Sequence, residues 1–502
     1  YLALARERNG QIAHAKAEYQ RYLSVYPDGD GVDRVEQRLA ALVATASPDE
    51  RSATGSSGAA RQARASQSPW TVRTFASQFY RRDVNQVNDQ EEITSQSSIY
   101  TDVSLDARRR GERFDFSARF TGGHRYDLLD EEDRQSTRND RDVRMSYAYV
   151  DLADSDTRLR GRLGRQTRNS GGVLGRFDGL NLTYGLTQRL ELEAGVGRPV
   201  FSTADSVDDS RTFYGLSGKY GPIGENLDVR VFALQQDIEG LTDRQSVGGE
   251  VRYFGDTASV WGMLDYDLEF SELGSLFVQG SVRLPSNFTI TGLIDRRQSP
   301  YLSLSNAMIG QPVEDFAALT NVYTAEEIYQ LALDRSAATT TFTLGLSKPL
   351  TPKLQLGING TQSTIEATPE SGGVPGNPKS TYSYLSLDLV ASSLFSERDV
   401  TIFGVRYAES TTSNIYTFNI DSRFSIGRSW RISPRLRVDY REIASDASEQ
   451  WTYTPSLRLE YRWGRKVRFE LTAGQQYSAR ESDSLDQDRE SYYISAGYQL
   501  FF

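Results

Sequence analysis

No cysteine occurs among the 502 residues, which removes disulfides, thiolate nucleophiles and cysteine-ligated metals. Histidine is nearly absent too: His14 and His124 are too few for a histidine-based catalytic or metal constellation. Only six of the 57 basic residues are lysine, so almost all positive charge is guanidinium. Long apolar runs are missing as well. Hydrophobic residues make up 38% of the chain, and no stretch approaches the ~20 that a spanning helix needs, so a helical membrane protein is excluded. Positive charge is not in excess; the formal charge of -10 argues against nucleic acid as a partner.

What the chain does have is aromatic residues and glycine, with 28 Tyr, 22 Phe and 41 Gly, a composition that suits strands and turns. From Trp70 onward the apolar period is two. Phe114, Phe116, Ala118 and Phe120 alternate with Arg113, Asp115, Ser117 and Arg119. Tyr416, Phe418, Ile420 and Phe424 alternate with Thr417, Asn419, Asp421 and Arg423. Leu436, Val438 and Tyr440 alternate with Arg435, Arg437, Asp439 and Arg441, and Leu457, Leu459 and Tyr461 with Arg458, Glu460 and Arg462. One face of each segment is too apolar for water and the other too charged for a dry core, which a barrel with lipid outside and water inside resolves.

Loop lengths give a second signal. Counted from Trp70, even-to-odd connections are short, whereas odd-to-even ones tend to be long and polar, as in ATPESGGVPGNPKS. A soluble sandwich would not sort its loops by parity. The expectation is an all-β transmembrane antiparallel barrel of about 22 strands over 70–502. Its last segment, SYYISAGYQLFF, resembles the closing strand of outer-membrane barrels, and that resemblance implies an assembly signal at Tyr498, Leu500 and Phe502. It also implies outer-membrane lipid, lipopolysaccharide and the barrel assembly machinery as partners. No export signal opens the chain, so residues are expected to precede Tyr1.

Residues 1–45 read differently. Gly10, Ala15, Tyr19 and Pro27 stand in the order a tetratricopeptide repeat requires, with small residues for helix crossing, an aromatic for the groove and Pro as the stop. Residues 46–69, rich in Ser, Ala, Gly and Arg, read as a flexible linker. Helical repeats, a linker and a C-terminal barrel together resemble the outer-membrane exporters of cellulose and poly-N-acetylglucosamine. The resemblance implies periplasmic repeats that dock protein partners and a barrel that conducts polysaccharide.

Two features are candidate functional sites. Thr324 with Glu327 forms a capping box for a short helix containing Ile328 and Leu331, inside the long segment from Gln298 to Ala337. The expectation is that this segment folds inward as a constriction or gate. Inward-facing charges form the second: Arg113, Arg119, Arg158, Arg160 and Arg162, together with the Asp421–Arg441 and Arg458–Arg462 rows named above. They read as a wall-stabilising ladder or as a guide for polar solutes. The glycines Gly171, Gly172 and Gly175 are expected in an external loop without a phosphate-binding lysine. No catalytic set, metal site or cofactor motif stands out. The leading function is macromolecular export; an anchor for a secretion system or surface filament, and a diffusion pore, are the alternatives.

Overall fold

The computed structural model describes residues 70–502, apart from 89, 130–140, 169–170, 173–174, 314, 397 and 482–485. The repeat expected over 1–45 and the linker expected over 46–69 lie outside the described residues.

The alternating pattern from Trp70 becomes 22 antiparallel strands in one sheet. The first quarter is β1 (Trp70–Val87), β2 (Ile93–Arg110), β3 (Phe114–Asp127), β4 (Arg141–Asp154) and β5 (Leu159–Arg168). Then come β6 (Gly175–Gly185), β7 (Leu190–Val200), β8 (Arg211–Ile223), β9 (Leu227–Ile238), β10 (Leu241–Phe254) and β11 (Ala258–Asp267). β12 (Glu272–Arg283) and β13 (Thr289–Ser299) precede the long insertion, and β14 (Ala337–Thr351), β15 (Leu354–Ile365), β16 (Ser380–Ser392) and β17 (Val400–Glu409) follow it. β18 (Ser413–Ile426), β19 (Trp430–Ile443), β20 (Ser448–Trp463), β21 (Val467–Glu481) and β22 (Gln487–Phe501) complete the wall. Each strand pairs with its sequence neighbours, and β22 pairs with β1, Phe501 opposite Phe75. Closure leaves the sheet without a free edge.

Even-to-odd connections, from 352–353 to 393–399, are all short and share one rim with Trp70 and Phe502. The other rim carries the long connections. Four of its turns depart from the expected parity: 239–240, 268–271, 410–412 and 444–447 are as tight as those opposite. Glu239 and Gly240 both have positive φ, 48° and 81°, the backbone of a two-residue hairpin turn whose twist matches the strands.

The outward face is apolar: Val231, Leu344, Leu385 and Leu457 are exposed there. Two bands of aromatic rings bound it. On the long-loop side Tyr407, Tyr416, Tyr440 and Trp451 form a row of tilted and stacked rings at centroid spacings of 5.2, 6.0 and 4.9 Å. On the short-turn side Trp430, Tyr461 and Phe469 do the same at 4.7 and 6.5 Å. Trp430 and Tyr440 share β19, and at ~3.3 Å per residue and a ~40° strand tilt the bands stand about 25 Å apart, the height of a barrel's apolar belt.

Candidate functional site

The polar residues of each strand face the lumen, where they form ion pairs along and across the wall. Asp151 on β4 accepts from Arg160 Nε and Arg162 Nε of β5, both at 2.9 Å, and the Arg162 guanidinium lies 4.3 Å from the Tyr149 ring. Arg435 pairs with Asp421 at 2.8 Å, Arg437 with Asp439 at 2.8 Å and Arg458 with Glu470 at 2.7 Å. Glu460 accepts from Arg431 at 3.1 Å. Arg119 stacks on Tyr147. Arg423, Arg441 and Arg462 occupy lumen-facing positions of β18, β19 and β20. Arg113 and Arg158 are corrections: both lie in turns on the short-turn rim, because 111–113 and 155–158 are tight connections, not strand. Arg113 donates there to Asp154 at 3.0 Å.

On β6 to β10 the inner wall changes character. Phe177, Phe213, Phe232, Leu234 and Ile238 all point inward and are buried, the first two in edge-to-face contact at 4.7 Å. The inner face of β9 is therefore mixed, with Phe232, Leu234 and Ile238 set among Arg230 and Gln236, while Val231 faces outward. Two connections cover this apolar strip.

The first is the β13–β14 connection. A 3₁₀ turn at Leu304–Met308, α1 (Phe316–Thr320) and α2 (Ala325–Asp334) fold against the inner wall. Leu304, Ala307, Phe316, Leu319, Ile328, Leu331 and Ala332 make one cluster with Ile238. The Thr324–Glu327 capping box is present, each side chain meeting the other's backbone amide, and it satisfies the first orphan donors of α2. Burial of Ile328 and Leu331 against the wall then fixes the helix, each contributing roughly 1.5–3 kcal/mol.

Several hydrogen-bonded clamps hold the segment. The register of β10 against β9 shifts between Thr242 and Arg244, so Asp243 is the bulge residue and turns inward beside Arg244. Asp243 accepts from the Leu304 amide at 2.6 Å and from Ser303 Oγ at 2.7 Å. The Tyr329 hydroxyl donates to the Thr242 carbonyl at 2.6 Å while its ring packs on Phe270 of the β11–β12 turn. Arg335, at the end of α2, donates to Ser371 Oγ at 2.8 Å and to the Ser371 carbonyl at 2.6 Å, tying in the β15–β16 connection. Arg244 completes the anchor, between Asp265 at 2.5 Å and the Tyr301 hydroxyl at 2.8 Å. The segment is docked on the inner wall with its own core, rather than hinged as a flap.

The second cover was not legible as such. The β5–β6 connection lies on the long-loop rim as expected, but its Gly171 and Gly172 are buried against the inner wall, and Gly175 already belongs to β6. The Gly171 amide donates to Glu250 on β10 at 2.6 Å, and a Cβ on Gly172 would press on the Phe232 ring. Nearby, Arg230 donates to Glu193 at 2.6 Å and to Ser217 at 2.9 Å. Beneath this tip, toward the short-turn rim, lies a polar cavity of about 1000 Å³ lined by Arg160, Arg162, Asp151, Asn181, Glu193 and Lys219 among others.

Among the described residues no cluster of His, Asp and Glu could hold a metal ion. His124 lies within β3. Tyr498 and Leu500 face outward on β22, and Phe502 exchanges backbone hydrogen bonds with Thr74 at 2.9 and 3.2 Å.

No protein-family model and no curated protein matches the chain. Among solved structures, OccK1 (OpdK) of Pseudomonas aeruginosa is similar at 9% identity and a TM-score of 0.37, over 86% of this chain and 99% of that one. OccAB1 of Acinetobacter baumannii is similar at 12% and 0.39, over 86% and 97%. OmpT, an outer membrane protein of Vibrio cholerae, is similar at 9% and 0.33, over 87% and 100%.

Proposed function

We propose that the chain is an outer-membrane pore through which small hydrophilic solutes diffuse passively. The observation that carries this reading is the pairing of a belted apolar exterior with a charged, water-accessible lumen. Lumen-facing Arg160 and Arg437 are each 52% exposed while outward Leu344 and Leu385 are also exposed. A wall of that kind is stable only with lipid on one side and water on the other. Outer-membrane lipid and lipopolysaccharide are then the surroundings, the short-turn rim is periplasmic, and Tyr498, Leu500 and Phe502 serve barrel assembly.

The docked β13–β14 segment sets the pore's size limit. Its charged wall is mostly internally paired, guanidinium against carboxylate, so charge selectivity is weak. Nothing in the described residues supports passage of a polysaccharide, and a fixed segment held by several clamps narrows the path that a polymer would need. The test is current through single barrels in planar bilayers. An open pore with steps of constant size is expected, and replacement of 300–336 by a short turn should enlarge the steps. A silent barrel would refute the pore and favour an anchoring role.

A further inference from the structure

β4 outruns its partner. Its ladder with β5 begins at Asp154 opposite Leu159 and stops at Ala148 opposite Arg165, yet β4 continues to Arg141, paired there with β3 alone. The cause lies in the next three strands, where Gly164, Gly179 and Gly197 are successive register partners. A Cβ at Gly164 would overlap the Ala148 carbonyl oxygen, one at Gly179 that of Val196 and one at Gly197 that of Asp178. Only glycine allows so close an approach, and Gly164 also takes a φ of 118°. Beyond this row Phe177 and the Gly171–Gly172 tip are buried inside the wall, the Gly171 amide reaching Glu250 on β10.

Side chains and a loop seal the edge that is left. Arg165 Nη1 donates to the Met145 carbonyl at 3.3 Å, and Arg176 Nε to that of Ser146 at 3.0 Å. The Met145 amide donates to the Thr203 carbonyl of the β7–β8 connection at 2.7 Å. Behind the seal, on the lumen side, is a cavity of about 470 Å³ lined by Asp102, Arg144, Ser146, Arg176, Phe201 and Thr203 among others. In front of it Val143 and Leu163 face outward, 67% and 58% exposed. At ~3.3 Å per residue and ~40° of tilt, Ala148 stands about 15 Å above the Asp154 turn, within the height of the ~25 Å apolar belt.

Building on the outer-membrane reading, we propose that the β4–β5 seam is a lateral port through which the charged headgroup of an outer-leaflet amphiphile reaches the lumen. The two sides of the seam match the two ends of such a molecule. Asp102, Arg144 and Arg176 offer both charge signs to a headgroup inside, while Val143, Val150 and Leu163 flank an acyl chain outside. Everywhere along a continuous ladder, a sideways opening would break a row of backbone bonds; here, among the described residues, only side-chain and loop contacts stand in the way.

The absence of cysteine makes the test direct. Single cysteines are placed at Ser146→Cys behind the seam, Thr417→Cys on a lumen wall paired on both sides, and Leu457→Cys facing outward. Barrels in vesicles are exposed to a long-chain alkyl maleimide confined to the bilayer. Ser146→Cys should react several-fold faster than Thr417→Cys, and Arg165→Ala with Arg176→Ala should speed it further. Equal slow labelling of Ser146→Cys and Thr417→Cys, with Leu457→Cys reacting rapidly, overturns the port and leaves the membrane reading intact. If Leu457→Cys is also unreactive toward the bilayer reagent but reactive toward a water-soluble one, the membrane reading itself is wrong and the port goes with it.

Discussion

The Leu304 amide donates to the Asp243 carboxylate at 2.6 Å, with both residues fully buried, joining the first turn of the inward segment to the bulge of β10. Asp243→Ala leaves that amide and the Ser303 hydroxyl without their acceptor, at about 1–3 kcal/mol for each orphaned group. Single-barrel currents of the variant should be larger and noisier than those of the parent. Asp243→Asn keeps one acceptor oxygen and should fall between them. Identical current traces for Asp243→Ala and the parent would show that the segment does not depend on this anchor.

Packing and capping of α2 should separate in magnitude. Ile328→Ala removes a fully buried side chain from the Ile238 cluster, and about 2–5 kcal/mol of stability is expected to go with it. Thr324→Ala removes one cap, at about 0.5–2 kcal/mol. Urea unfolding of the two variants ranks them; a larger loss for Thr324→Ala would mean that the cap, and not the wall contact, fixes the helix.

Acid should loosen the same segment from another direction. Asp208, in the β7–β8 connection, is partly buried, which alone would raise its carboxyl. The Ser210 hydroxyl and amide and the Arg211 guanidinium outweigh that and hold it below its ordinary value. Arg211 in turn donates to Ser305 in the inward segment at 2.7 Å. A depressed carboxyl contributes stability above its unfolded value of about 3.9 and loses it as pH falls through the lower folded value. Step size is therefore expected to hold steady from neutral pH down to about 4 and to change below it. Asp208→Asn, with no proton to take up, should give a shallower acid dependence; an unchanged profile would rule Asp208 out.

The outward face can be tested by a single charge. Leu457 lies midway along β20 between Trp451 and Trp463. Leu457→Arg should lower the folded fraction in vesicles by the equivalent of about 2–4 kcal/mol. Ser456→Arg, one residue away and lumen-facing, should be tolerated. Equal behaviour of the two variants would contradict the assignment of faces.

The barrel was legible because alternation reports a wall with two solvents, and β18 to β22 show it with few breaks, such as Ser422 and Tyr493. The capping box at Thr324 was legible for the same local reason: its spacing is a property of three consecutive peptide units. Arg113 and Arg158 misled because alternation alone does not mark where a strand yields to a turn. The inward burial of Gly171 and Gly172 left no mark in their own sequence. Its signal sat far away, in β9, where Phe232, Leu234 and Ile238 break the polar face of VRVFALQQDI, and only the fold shows what lies over them. The bulge at Asp243 was hidden similarly, since a register shift depends on both strands.

The inward apolar side chains of β9 also tie distant parts of the chain together. Ile238 gains its cover from Leu304 and its neighbours, which lie more than sixty residues later in the chain, whereas Phe232 meets Gly172 and Leu234 packs with Phe177 and Phe213 from strands that precede it. A partly built wall that ends before β14 leaves Ile238 facing water, so this quadrant reaches its final packing only with the next one in place.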